Sequence, residues 1–74
     1  FMPLSKVLTG KKGIITGIDS GKGIYMRLAA MGVFEGREIH ILSNNNRTPV
    51  LIEASGRKMA IGRGMAEKIH MEIK

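Results

Sequence analysis

The sequence predicts a mainly β protein, a small, strongly bent barrel of about five strands with one short inserted helix. Three observations carry this. Apolar and polar residues alternate at period two in several short stretches. A single stretch switches to helical spacing. The chain has only 74 residues, and five short strands carry too many apolar faces for an open sheet of that size. Closing the sheet into a barrel buries those faces and removes most exposed edges.

The elements follow in order. Gly13 to Ile18 is rich in isoleucine and bounded by lysines and by Asp19-Ser20-Gly21-Lys22-Gly23, so it reads as a strand and a loop. Ile24, Leu28 and Met31 then recur at i, i+4 and i+7, an apolar helix stripe over about residues 22–31. Gly32 stands just past it, where a left-handed cap is needed. Such a helix is only ~13 Å long and does not persist alone in water. Leu28 and Met31 are therefore expected to anchor it to the barrel. Val33-Phe34-Glu35-Gly36 turns the chain back into a strand, in which Ile39 and Ile41 face one way and Glu38 and His40 the other.

Ser43 to Pro49 is a polar loop. Val50, Ile52 and Ala54 alternate again, and Ser55-Gly56 makes a two-residue turn before Met59 and Ile61. A turn at that place sets Ile52 opposite Met59 and Val50 opposite Ile61, both apolar pairs, which supports the hairpin. A helical turn is expected near 63–67 after Gly62. Ile69, Met71 and Ile73 form a last strand with His70 and Glu72 outward.

Composition bounds the function. The chain has no cysteine, which excludes disulfides and thiolate metal sites. Met2 reads as the natural start and Phe1 as an expression remnant, leaving one domain over residues 2–74. A chain this short buries about 60% of its unfolded surface, with no room for a deep enclosed active site. No stretch approaches the roughly 20 apolar residues of a membrane span. The expectation is a cytoplasmic protein without direct membrane insertion. The net charge of +6 favours anionic partners, but the basic residues are scattered, no run exceeding two, and scatter gives solubility rather than a code.

The candidate chemistry is sparse. Gly17 to Gly23 resembles a phosphate loop, but only three residues precede the Gly-Lys pair and no hydroxyl follows it, so a flexible connection is the better reading. Gly62-Arg63-Gly64 lacks the third glycine of a dinucleotide motif. His40 and His70 lie on outward strand faces beside Glu38 and Glu72, and would make a shallow metal site if their strands were neighbours. No nucleophile–base set assembles at a credible spacing, so the chain is not expected to be an enzyme. A small basic barrel binding RNA or DNA is the main alternative, but Tyr25 and Phe34 do not make an aromatic strand face. A metal sensor using His40 and His70 is a third reading. Met31, Met59 and Met71 fall on inward positions as core filling, while Met26 and Met65 are less well explained.

The stretch Arg27-Leu28-Ala29-Ala30-Met31-Gly32-Val33-Phe34-Glu35-Gly36 resembles the signature of the FeoA family, accessory proteins of bacterial ferrous iron uptake. Arg27, Leu28, Met31, Gly32, Val33 and Gly36 hold the pattern, and Phe34 departs from it. Leu4 and Ser5 ahead of the first strand, Pro49 before the hairpin, Ala60-Ile61-Gly62 at its end, and Ala66 and Ile69 before the last strand extend the likeness over nearly the whole chain. The resemblance implies an SH3-like barrel. It also implies a cytoplasmic role beside FeoB, a membrane iron permease carrying a GTP-binding domain. No cofactor is expected. Leu28, Met31, Gly32, Gly36 and Gly62 are then structural. Tyr25, Met26, Arg27 and Phe34 are expected to meet the partner, because arginine and aromatic residues commonly anchor interfaces. Pairing of edge strands between copies stays open.

Overall fold

Strand structure begins where the sequence shows no alternation. The computed structural model describes residues 1–74. Met2–Pro3 forms a two-residue strand, β1, followed by a 3-10 turn at Leu4–Lys6. Then come β2 (Lys12–Ile18), α1 (Lys22–Ala30), β3 (Glu38–Ser43), β4 (Val50–Ala54), β5 (Arg57–Ile61), α2 (Arg63–Ala66) and β6 (Ile69–Ile73). They form one six-stranded sheet of order β1-β6-β2-β3-β4-β5, antiparallel throughout. The expected mainly β fold of about five strands is present, and β1 adds a short sixth, pairing Met2 with Met71 and Pro3 with His70. Two residues are too few to show a period.

The hairpin has the expected register, Ile52 opposite Met59 and Val50 opposite Ile61. Ser55 (φ 55°) and Gly56 (φ 77°) are both left-handed, the signature of a type I′ turn whose twist matches that of the strands. Ile39 and Ile41 are buried as alternation predicts, together with Ile15, Ile52, Ile61, Ile69 and Met71. Register shifts at Thr16 in β2 and Leu42 in β3 sharpen the bend of the sheet. Gly13 permits the close approach of β2 and β6, since a Cβ there would lie 2.7 Å from the Glu72 carbonyl oxygen. Leu4 of the 3-10 turn and Ala66 of α2 are both buried in the core.

Helix α1 is held at one end. Val33 N–H donates to the Leu28 carbonyl (2.8 Å) and Gly32 N–H to that of Ala29 (3.0 Å), with Gly32 at φ 88°. This is a Schellman closure, and its usual apolar contact is supplied by buried Leu28 and Val33. Burying each contributes about 1.5–3 kcal/mol. The rest of the expected stripe does not dock. Ile24 and Met31 are each 40% exposed, which corrects the inward placement of Met31. Met31 is the C-cap, already outside helical geometry at φ −92° and ψ 5°, so helical spacing no longer fixes its direction. Ile24 lies a turn away from the Leu28–Val33 contact, in a first turn with neither a side-chain cap nor an acidic residue. Met59 and Met65 pack partly buried against the core, and Met26 does not.

Three glycine-to-alanine changes separate these constraints in a denaturant-midpoint measurement. Gly13→Ala is expected to cost about 2–3 kcal/mol through overpacking against backbone. Gly32→Ala meets only ordinary contact with Ser55, so its cost is the left-handed backbone, about 1–2 kcal/mol. Gly23→Ala, in open space on α1, is expected to stabilise by about 0.5 kcal/mol.

Candidate functional site

The turn after α1 builds the first candidate surface. Gly36 (φ 90°) closes a β-turn in which Arg37 N–H donates to the Phe34 carbonyl (3.1 Å). That turn folds the Arg37 guanidinium over the Phe34 ring, 4.6 Å from its centroid. Half-buried Phe34 therefore supports Arg37 as well as showing an edge to solvent. Tyr25, Met26 and Arg27 are consecutive on α1 and cannot share one helix face. Tyr25 is half-buried, Arg27 is exposed, and Met26 is 59% exposed. The exposed apolar set on and beside this helix is Ile24, Met26 and Met31, of which the sequence reading singled out only Met26 as surface.

The second surface is a polar groove of about 340 Å³ over β2, β3 and β4. Strand register sets Lys12, His40 and Glu53 side by side across it. Arg37 and Glu38 line it, and the Ser55–Gly56 turn closes one side. Its two carboxylates are paired, while Lys12 and Arg37 make no ion pair. His40 Nδ1 lies 3.9 Å from Glu53 Oε1, and Lys74 Nζ donates to Glu38 Oε2. The Lys74 hydrogen bond, then its charge, hold the Glu38 carboxyl below the usual carboxylate range, with smaller help from Lys12 and His40.

The two-histidine metal site does not assemble. β2 runs between β3 and β6, so His40 stands opposite Lys12 and His70 opposite Gly17. His70 Nε2 donates instead to Asp19 Oδ2 at 2.7 Å. No three His, Asp or Glu side chains converge anywhere in the chain.

Arg63 and Asn44 were not singled out by sequence reasoning, yet together they form the main side-chain clasp. Arg63 donates to Asn44 Oδ1 (2.9 Å) and to the Ser5 and Thr48 carbonyls (2.8 and 3.1 Å). Asn44 Nδ2 donates to the carbonyls of Ser5 (2.9 Å) and Val7 (2.7 Å). The one available signal was the Asn44-Asn45-Asn46 run, a residue type that bonds backbone in turns.

A family model described as the FeoA domain matches residues 2–73. The chain belongs to the FeoA family. It is 40% identical over 70 residues to "Putative Fe(2+) transport protein A" of Methanocaldococcus jannaschii, covering 95% of this chain and 84% of that protein. It superposes with a TM-score of 0.92 on the crystal structure of an iron uptake regulatory protein (FeoA), at 32% identity and covering 99% and 97% of the two chains. Stenotrophomonas maltophilia FeoA, solved with zinc and described as an SH3 domain protein, superposes at 0.82 with 17% identity over 97% and 91%. At that identity the likeness is one of fold, and it makes the barrel SH3-like. FeoA proteins are accessories of ferrous iron transport, so the resemblance carried by Arg27 to Gly36 is borne out. No helix of the chain is long and apolar enough to cross a membrane.

Two substitutions test these contacts. Lys74→Ala is expected to raise the Glu38 pKa toward its ordinary value in an NMR titration. Since the folded-state value is the depressed one, the pair's contribution to stability is present above the unfolded pKa and is lost as pH falls through the folded one. Lys74→Ala should flatten that acid limb. Arg63→Ala removes charge-assisted bonds to the part-buried Ser5 carbonyl and the exposed Thr48 carbonyl and is expected to cost about 2 kcal/mol in urea unfolding.

Proposed function

We propose that the chain is a non-enzymatic cytoplasmic accessory of ferrous iron uptake that works by binding a FeoB-like membrane permease with a GTP-binding domain. The observation that supports this most is α1. Three of the chain's exposed large apolar side chains, Ile24, Met26 and Met31, lie on or beside this one helix, with Met26 turned away from Ile24, while Leu8 and Leu51 are exposed elsewhere. Arg27 is on the same helix, which carries no acidic residue. Exposed apolar side chains rimmed by charge suit a protein partner, and Arg27, Met26, Tyr25 and the free edge of Phe34 are its proposed contacts. The polar groove offers no comparable reading, because both of its carboxylates already have partners. A nucleic-acid role has less support: Tyr25 is half-buried on the helix and Phe34 lies under Arg37, leaving no stacking platform.

The test is a pull-down from nuclease-treated, detergent-solubilised cells at moderate salt. The wild-type chain is expected to recover a large GTPase-bearing permease. Arg27→Glu and Met26→Asp, both exposed, should keep their folding midpoints and bind roughly tenfold more weakly, about 1.4 kcal/mol. Unchanged recovery by both variants removes α1 from the interface. Ribosomes or nucleic acid recovered only when nuclease is omitted would favour the polyanion reading.

A further inference from the structure

The sheet has two free edges, and they are guarded differently. β1 at one edge is two residues long and ends in Pro3, which has no N–H to offer. β5 at the other edge is five residues long and pairs with β4 alone. The two-residue turn fixes the parity of that ladder. Ala54 and Arg57 flank the turn as a hydrogen-bonded pair, so Ile52–Met59 and Val50–Ile61 are bonded pairs as well. Lys58 and Ala60 therefore aim their N–H and C=O groups away from β4, and no other backbone group meets them.

The side chains along this edge carry one sign of charge. Arg57 and Lys58 are exposed, and β5 contains no acid. The close contacts between basic and acidic side chains join His40 to Glu53, His70 to Asp19 and Lys74 to Glu38, so neither β5 cation is paired, and Glu53, which stands opposite Lys58 in the ladder, meets His40 instead. Exposed Ala60 stands opposite Leu51, which is 38% exposed on the same outer face.

We propose that β5 is a strand-addition site for an extended acidic segment of a protein partner. The incoming strand hydrogen-bonds to Lys58 and Ala60. It sets a carboxylate opposite Lys58 and an apolar side chain opposite Ala60, beside Leu51. A second copy of the chain is the poorer occupant, because two β5 strands bring four cations together and no carboxylate. Lysine on an edge blocks such self-pairing while leaving the edge open to an acidic strand. This site does not depend on the α1 reading, and substitutions at one leave the other intact.

The probe is a soluble peptide alternating glutamate and valine, titrated into the isotope-labelled full chain, with a lysine–valine peptide as charge control. The acidic peptide is expected to shift the Lys58 and Ala60 amide resonances and to slow their hydrogen exchange about tenfold, and the basic peptide to do neither. Ala60→Pro deletes one outward N–H without touching the β4 ladder and is expected to abolish the effect. Lys58→Glu, fully on the surface, should reverse the charge preference, and it decides the question even where Ala60→Pro fails to fold. Shifts confined to other residues, or undiminished binding by folded Ala60→Pro, would overturn the proposal. So would peptide-free protection of Lys58 and Ala60 that grows with protein concentration, which assigns the edge to a second copy.

Discussion

One sheet in so short a chain has no second layer to pack against, so it must curl around its own apolar face. Everything else in the molecule serves that curvature. Gly13 lets β2 and β6 approach where a methyl group would strike a carbonyl. The irregularities at Thr16 and Leu42 add twist. The bend still leaves a gap beside the 3-10 turn, where α2 packs on Leu4–Lys6. Leu4 and Ala66 fill its apolar side, while Arg63 and Asn44 satisfy the carbonyls of Ser5 and Val7 beside it. Were those carbonyls left unbonded, their desolvation would oppose closure.

Legibility in the sequence follows the range of the interaction. The β4–β5 hairpin was readable to the residue because a two-residue turn leaves a single register. The end of α1 was readable because Gly32 is a local requirement of the cap. Ile39 and Ile41 were readable because alternation persists over β3. β1 was not, since its pairing with β6 depends on a strand at the far end of the chain. The separation of His40 from His70 depends on strand order, which no local pattern encodes. Met31 misled because helical spacing assigns direction only while helical geometry lasts. Arg63 lies between two glycines, and its partners are side-chain and backbone groups in other segments.

The family signature around α1 thus divides into two kinds of residue. Leu28, Gly32, Val33 and Gly36 shape the corner and pin the C-terminal end of the helix. The N-terminal end rests on Gly21 and Gly23 without a capping side chain. A helix fixed at one end presents its exposed side chains on a support that frays from the other.

The Arg63 clasp also bears on how the chain reaches this state. Arg63 and Ser5 are 58 residues apart, and Asn44 and Ser5 are 39 apart. Neither bond forms until loops of that size have closed, and the entropy of closure precedes any return from the contact. The β4–β5 hairpin, with its left-handed turn and local pairing, has no such delay. The clasp is therefore a late contact, as is the β1–β6 pairing, whose partners lie farther apart still. A growing chain that ends short of Arg63 lacks both the arginine's bond to Ser5 and the β6 partner of β1.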